Sequence, residues 1–168
     1  HPGVDKVAFT GSTATGRAIL DAAKGNLKRV SLELGGKSPA IILPDADLDL
    51  AIPGVANAIF FNAGQVCTTV DHLYVPEGKV SAFVDMAKSI ISGRYPTLDT
   101  PDYTSIIDER SFNRITEALT EAKDRGATLV QLIPGKPWDK KTRKITFECW
   151  PRFAKVADGN QAVDGAQR

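Results

Sequence analysis

The sequence is poor in the residues that build disulfide frameworks and metal clusters. Its 168 residues include two cysteines, Cys67 and Cys149, and two histidines, His1 and His72. Two distant cysteines do not make a disulfide framework, and so few cysteines and histidines argue against a metal centre. We therefore expect no bound metal and, by default, a reducing cytoplasmic location.

Charge imbalance and long apolar runs are scarce as well. The chain carries 21 basic and 20 acidic residues, for a formal net charge of +1. This balance does not favour nucleic acid or an anionic membrane surface as a partner. No apolar run approaches the roughly 18 residues of a membrane span, and the first residues lack the form of a signal peptide. They read like the interior of a longer protein.

Strand-like and helix-like segments alternate along the chain. This alternation is typical of an α/β fold with a mainly parallel sheet. The predicted strands are Asp5–Thr10, Lys28–Leu34, Ser38–Leu43, Asp71–Val75 and Ala127–Ile133. The predicted helices run from the Ser12 cap to about Lys24, from Pro53 to Asn62, from Lys79 to Ser92 and from Asp108 to Arg125.

Two of these segments carry more detailed expectations. The apolar run at Ser38–Leu43 predicts a strand that is buried on both faces. A proline inside a helix costs about 3 kcal/mol, because it removes a hydrogen bond and its ring clashes with the preceding turn. We therefore expect a separate short turn at Leu48–Ile52 and a main helix that starts at Pro53.

Cys67 follows a glycine-containing turn in the stretch Phe61–Thr69. A free cysteine is usually a small buried hydrophobic residue. A cysteine on an accessible turn among small and polar residues instead suits a thiolate nucleophile. Cys149 has no such surroundings, so we expect it to be structural or incidental.

Two further segments leave the same kind of choice open. Gly11–Gly16 joins a strand to a helix and is either an ordinary capped turn or a backbone cradle for phosphate. Glu33 ends an apolar strand and is either a surface residue or a partly buried carboxylate whose raised pKa would make it a base.

The order and spacing of three motifs resemble the aldehyde dehydrogenase superfamily. They are FTGSTATG (Phe9–Gly16), LELGGKSP (Leu32–Pro39) and FNAGQVC (Phe61–Cys67), with 34 positions between Glu33 and Cys67. Within that superfamily, DHLYVP and the stretch Tyr95–Phe112 are similar to the coniferyl aldehyde dehydrogenase branch.

The resemblance implies a mechanism and a set of site residues. Cys67 would attack an aldehyde carbonyl, and Glu33 would activate the water that hydrolyses the resulting thioester to a carboxylic acid. The cofactor would be NAD or NADP. Its binding residues by the same resemblance are Gly11, Ser12, Thr15, Gly16 and Leu34.

The resemblance also divides the chain. It implies that residues 1–34 are the C-terminal part of a Rossmann-like NAD(P)-binding domain, 35–145 are part of the α/β catalytic domain, and 146–168 are a divergent tail. The abrupt loss of resemblance after Ile145 suggests a frame change or a premature end. Family members are homo-oligomeric, which leaves the state of this chain open.

Several parts that the resemblance calls for are missing from this sequence. They include the first half of the cofactor domain, the oxyanion-stabilising asparagine and the E-[IV]-F-G-P motif. We therefore expect the isolated chain to be inactive. The alternative is a non-catalytic α/β remnant or scaffold, and a cysteine hydrolase using His72 is a third reading.

Overall fold

The computed structural model describes residues 1–146 together with the backbone of 148 and 149. The predictions for the tail 146–168 and for the side chain of Cys149 therefore lie, except at Thr146, outside the described residues. Within this part of the chain, strands and helices alternate through the first 94 residues. The predicted α/β class is confirmed.

The strands and helices follow one another in the predicted order. The strands of the described residues are β1 (Lys6–Thr10), β2 (Arg29–Glu33), β3 (Ser38–Ile41), β4 (Val70–Tyr74), β5 (Val130–Gln131), β6 (Trp138–Asp139), β7 (Lys144–Ile145) and β8 (Glu148–Cys149). The helices are α1 (Thr13–Ala23), α2 (Leu48–Phe60), α3 (Val80–Arg94) and α4 (Glu109–Asp124). Short 3-10 turns occupy Lys24–Asn26, Phe61–Gly64 and Glu77–Lys79.

The two longest strand pairs are parallel, as predicted. β1 lies beside β2, with Lys6 opposite Arg29 and Thr10 opposite Glu33. β3 lies beside β4. The short pairs β5 with β8 and β6 with β7 are antiparallel. The parallel pairs bring the carboxyl ends of β1 and β2 to one edge, where a ligand site of an open α/β sheet is expected.

The prediction that Ser38–Leu43 is buried on both faces is wrong. Ile41 is 65% exposed and Leu43 is 58% exposed, whereas Ile42 between them is 7% exposed. Successive side chains of an extended segment point to opposite sides. Here one side packs against Ile52 and Phe83, and the other faces solvent.

The prediction that the main helix starts at Pro53 is also wrong. α2 runs unbroken from Leu48 to Phe60, with Pro53 inside it. The Asp47 side chain caps its start by accepting from the Asp49 backbone N–H at 3.0 Å. Ile52, immediately before the proline, is fully buried, so tertiary packing holds the turn that helix propensity alone disfavours.

The last predicted strand is much shorter than expected. Regular pairing in Ala127–Ile133 is limited to Val130 and Gln131. Leu132 and Ile133 are instead buried in the core. Their apolar run therefore reflects burial by packing rather than strand pairing.

Three clusters of buried side chains form the core of the described residues. The largest contains Tyr103, and the other two contain Phe112 and Phe83. The buried members of all three lie between Ile42 and Ile145. The β1–α1–β2 unit contributes none of them.

Candidate active site

The turn that carries Cys67 has an unusual backbone. It follows the end of α2, and Asn62 (φ 51°, ψ 33°) and Ala63 (φ 54°, ψ 36°) are both left-handed. This conformation is unfavourable for residues with a Cβ atom, so surrounding contacts must hold it. Gly64 is left-handed as well, at φ 72°. The Cys67 side chain beyond it is exposed.

Gln65 supplies most of the contacts that hold this turn. Its side-chain amide donates to the backbone oxygens of Asn62 and Ser105, both at 3.1 Å. Its side-chain oxygen accepts from the backbone N–H of Ile107 at 2.8 Å. The Asn62 amide in turn donates to the Gln65 backbone oxygen at 3.3 Å. The turn is thus tied to a segment 40 residues further along the chain.

That distant segment is itself braced. Ile106 donates its backbone N–H to Arg143 O at 2.8 Å, and Arg143 Nε donates back to Ile106 O at 3.0 Å. The buried Tyr103 hydroxyl donates to Ile145 O at 2.7 Å. Burial, with a smaller contribution from Tyr95, raises the pKa of the Tyr103 phenol well above its ordinary range.

A second anchor lies on the other side of Cys67. The Thr69 hydroxyl donates to Ala58 O of α2 at 2.8 Å. The Thr69 backbone N–H donates to Val66 O at 3.0 Å and closes a turn around the cysteine. Cys67 is therefore fixed on both flanks while its thiol remains accessible.

Cys67 opens onto a cleft of about 360 Å³. The cleft is formed where the ends of β1 and β2 meet the cysteine turn. It is lined by Thr10, Gly11, Leu34, Gly35, Gly36, Gly64, Gln65, Val66, Cys67, Thr69 and Asp71. At its wall, a Cβ on Gly36 would lie 2.6 Å from the Cys67 backbone oxygen, so only glycine fits there without a shift.

The start of α1 stands at the same cleft through Gly11. The Gly11 N–H donates to Glu33 O at 3.0 Å, which joins the ends of β1 and β2. Ser12 caps the helix by accepting from the Thr15 N–H at 3.2 Å, and the two hydroxyls lie 2.9 Å apart. Both residues are exposed, and backbone N–H groups at a helix start favour an anionic ligand.

Gly16 and Leu34 differ from the other residues proposed for the cofactor. Gly16 is buried, and a Cβ there would lie 3.0 Å from a Leu34 methyl and 3.4 Å from a Leu32 methyl. Its role in this structure is the close packing of α1 on β2. Leu34 therefore contacts Gly16 and also lines the cleft.

Of the two readings that the sequence left open for Glu33, the structure agrees with the surface residue. Glu33 lies on the exposed side of β2, where Val30 and Leu32 face inward and Arg29 and Ser31 face outward with it. The cleft is lined by its neighbour Leu34 and not by Glu33 itself. Strand alternation explains the difference, because adjacent residues of β2 point to opposite faces.

The surroundings of His72 do not extend the cleft. Its ring lies 3.4 Å from an Asp71 oxygen and edge-on to Tyr74, with ring centroids 5.4 Å apart. Asp71 also pairs with Lys37 at 2.9 Å, which links the starts of β3 and β4 beside the cleft. The His72 imidazole on β4 therefore contacts Asp71 and Tyr74.

A larger open groove of about 630 Å³ lies elsewhere, between α4 and β6. Its lining includes Phe112 and Trp138 together with exposed charged residues, and it contains no cysteine or histidine. The smaller cleft is the better candidate because it brings a thiol, a helix start and a glycine-rich wall together.

The described residues contain neither a metal-binding cluster nor a helix that could span a membrane. No group of three or more His, Cys, Asp or Glu side chains there is arranged to hold a metal ion. In the same part of the chain, no helix combines the length and apolar character that crossing a membrane requires.

Comparison with known proteins fits the geometry of the cleft. A sequence profile of the Aldehyde dehydrogenase family matches residues 1–147. The chain belongs to the aldehyde dehydrogenase family. It is 46% identical over 147 residues to Aldehyde dehydrogenase 9 of Polyandrocarpa misakiensis, covering 84% of this chain. It is 42% identical over 144 residues to Coniferyl aldehyde dehydrogenase of Pseudomonas sp. (strain HR199), again covering 84% of this chain.

The solved aldehyde dehydrogenase structures agree. The crystal structure of Mycobacterium tuberculosis aldehyde dehydrogenase complexed with NAD⁺ is 31% identical, with a TM-score of 0.75 over 89% of this chain. The chain spans only part of these family members: 63% and 30% of the two relatives and 32% of that structure. The predicted partial aldehyde dehydrogenase fold is confirmed.

Sequence reasoning missed Asn62 and Gln65 as supports of the cysteine turn. Their backbone angles and reciprocal amide bonds follow from tertiary contacts with Ser105 and Ile107. One sequence signal was available, because asparagine tolerates left-handed turn positions better than most residues other than glycine.

Proposed function

We propose that this chain carries the thiol half of an NAD(P)-dependent aldehyde oxidation site, with Cys67 as the nucleophile. The observation that supports this proposal is the cleft, which is lined by Cys67, by Gly11 before α1 and by Leu34 after β2. A shared opening of this kind is what transfer from a thiol-bound substrate to a cofactor requires.

Each residue has a chemical role in the proposal. The Cys67 sulfur forms a bond to the aldehyde carbon and gives a hemithioacetal. NAD or NADP, when bound, accepts the hydride that this carbon releases, leaving a thioester on Cys67. Glu33 takes a proton from the water that attacks the thioester carbon. The carbon–sulfur bond then breaks, the carboxylic acid is released and the Cys67 thiol is regenerated.

The residues present fit a dinucleotide. Ser12 and Thr15 are exposed at the start of α1, beside the cleft, where backbone N–H groups attract phosphate. Gly11 lines the cleft, and a Cβ there would lie 2.5 Å from a carbon of the Phe9 ring. Gly16 keeps α1 close to β2. The choice between NAD and NADP belongs to sequence that the resemblance places outside this chain.

Three finer proposals concern the substrate, the compartment and the domain division. The substrate is an aromatic aldehyde of the coniferyl type, since the stretch Tyr95–Phe112 is similar to that branch. The Cys67 chemistry requires a free thiol, which fits a reducing cytoplasmic compartment. The domain division at residue 34 fits the core, whose buried clusters all begin after it.

The isolated chain is proposed to bind but not to turn over. Glu33 is exposed, and the oxyanion-stabilising asparagine is absent from the sequence. Removing one such donor typically lowers the rate by about 10²–10³. The chain also spans only about a third of the solved structures that it matches.

The test is the rate at which Cys67 is alkylated in the purified chain, read by peptide mass spectrometry to separate it from Cys149. We expect NAD⁺ or NADP⁺ to slow alkylation, and an aromatic aldehyde to slow it by forming the hemithioacetal. Thr15→Val should weaken protection by the dinucleotide. Thr120→Val, at an exposed site on α4, is the matched control and should leave it unchanged.

Two outcomes would decide against the proposal. If neither dinucleotide nor aldehyde protects Cys67, the chain is a non-catalytic remnant. Aldehyde-dependent NAD(P)H formation by the purified chain, abolished in Cys67→Ser, would support the chemistry but overturn the proposal that the isolated chain is inactive.

A further inference from the structure

We infer that Gln65 is a positioning residue, which sets where the Cys67 sulfur lies in the cleft by tying its turn to the segment 105–107. The inference rests on the proposed function, because it concerns the same thiol. Gln65 does not need to touch substrate or cofactor to act in this way. It acts through the backbone on either side of its own position.

The first argument is the completeness of the Gln65 hydrogen bonds. Its amide nitrogen donates to Asn62 O and Ser105 O, and its oxygen accepts from the Ile107 N–H. A half-buried amide with both donors and its acceptor in use has one preferred orientation. Because Cys67 is only two residues further along the same turn, a Gln65 side chain that is fixed in this way also restricts where Cys67 lies.

The second argument is the backbone that these bonds hold. Asn62 and Ala63 stand left-handed in succession without being glycine. Each such residue costs of order 1–2 kcal/mol relative to a right-handed one, so the turn relaxes unless contacts oppose it. The bonds of Gln65 to Ser105 and Ile107 come from outside the turn and can oppose that relaxation.

The third argument is that the support is itself rigid. Residue 106 lies between the two backbone groups that Gln65 contacts. Ile106 is buried and is held at both its N–H and its carbonyl by Arg143. Gln65 therefore connects the cysteine turn by hydrogen bonds to a fixed part of the core, into which Ala63 of the same turn also packs.

The experiment compares two reagents of the same chemistry and different size on the full chain. N-ethylmaleimide and N-(1-pyrenyl)maleimide both react with the Cys67 thiolate. The fraction of Cys67 that is present as thiolate therefore cancels in the ratio of their reaction rates. The ratio reports how the cleft walls at Gly36 and Leu34 limit access to the sulfur. A merely structural loss of stability does not change this ratio in the folded state.

In Gln65→Met we expect the preference for the small reagent to fall by about threefold or more, because a turn that is released from Ser105 presents the sulfur outside the cleft. The matched control is Gln131→Met. Gln131 also donates to two backbone oxygens, those of Ile133 and Gly135, but lies away from the cleft. Its substitution should leave the ratio unchanged.

A second variant guards against misfolding of the first. In Gln65→Glu the carboxylate keeps an acceptor for the Ile107 N–H but faces the Asn62 and Ser105 oxygens without a donor. Protonation restores one donor. The reference glutamate pKa is about 4.3, and two facing oxygens favour the protonated form. We expect the size preference to be lost at about pH 8 and partly recovered at about pH 5.

The outcomes separate this inference from the proposed function. A size preference in Gln65→Met equal to that of the unmodified chain, or a Gln131→Met variant that loses it equally, would overturn the positioning role. Neither result depends on a dinucleotide or an aldehyde. Failure of those ligands to protect Cys67 would overturn the proposed function and leave the Gln65 result standing.

Discussion

Gly36→Ala should disturb the cysteine turn, while the same change at the adjacent Gly35 should not. A Cβ at Gly36 would lie 2.6 Å from the Cys67 backbone oxygen, below the 3.0 Å that real Cβ atoms respect and well below ordinary contact at 3.4 Å. A backbone oxygen cannot rotate away, so one of the two segments must move. Nothing lies within 4 Å of a Cβ at Gly35.

The required movement sets the size of the effect. The two segments must part by at least 0.4 Å to reach the shortest real contact and by 0.8 Å for an ordinary one. Overpacking of this kind costs about 1–3 kcal/mol. Gly35→Ala restricts the unfolded chain and should be neutral or stabilising by up to about 1 kcal/mol. Neither glycine has a positive φ, so backbone strain does not enter the comparison.

The assay is denaturant unfolding of both variants, together with the Cys67 alkylation rate. We expect Gly36→Ala to be the less stable by about 1–3 kcal/mol and to change the alkylation rate. Gly35→Ala should preserve both quantities. Equal stability and equal alkylation rates in the two variants would show that the segments carrying Gly36 and Cys67 are not pressed together, and the description of the cleft wall would be wrong.

Three other substitutions test the framework around the site. Pro53→Ala should stabilise α2, by up to about 3 kcal/mol less the entropy that proline removes from the unfolded chain, and unfolding by urea would measure it. Tyr103→Phe leaves the Ile145 oxygen without its donor and should cost about 1 kcal/mol. Because folding raises the Tyr103 pKa, the contribution of this group to stability should be constant below about pH 10 and fall above it, and the variant should lose that part of the fall. The hydrogen bond from the Ser111 N–H lowers the Asp108 pKa. The stability that this bond contributes should therefore be present at neutral pH and be lost as the pH falls through the lowered pKa. Thermal unfolding of Asp108→Asn between pH 7 and pH 2 should show a weaker dependence on pH.

Local sequence features were enough to predict most of the elements around the cleft. Ser12 is a helix cap in the structure, as predicted, and Asp108, predicted as the first residue of its helix, is the cap of α4. Gly126 follows α4 with φ +86°, which is the expected glycine at a helix end. These features depend on neighbours within a few residues, and such short-range interactions are legible in a single sequence.

Features that depend on distant packing were not predictable in the same way. The continuous helix through Pro53 depends on the burial of Ile52, and the exposure of Ile41 depends on which side of β3 the helices cover. The exposure of Glu33 depends on the side of β2 that faces outward. The hydrogen bonds of Gln65 to Ser105 and Ile107 join positions 40 or more residues apart, and no local sequence pattern predicts them.

The resemblance of the motifs predicted more of the site than hydrophobic periodicity did. It picked out Gly11, Leu34 and Cys67 as members of one site, and the cleft contains all three. It did not distinguish a glycine that approaches a ligand from one that packs a helix, which is the role of Gly16 here. Steric distances around each Cβ make that distinction, and they require coordinates.

The brace from Arg143 through Ile106 to Gln65 has a consequence for how the protein is made. A ribosome synthesises the cysteine turn long before it reaches the residues that hold that turn in place. The left-handed residues before Cys67 therefore lack the hydrogen bonds from the segment 105–107 and its Arg143 brace until about 80 further residues have been synthesised and have left the exit tunnel. The thiol therefore acquires its final setting only after Arg143 has been synthesised, and a ribosome that stalls before Arg143 leaves a chain in which the cysteine turn lacks this brace.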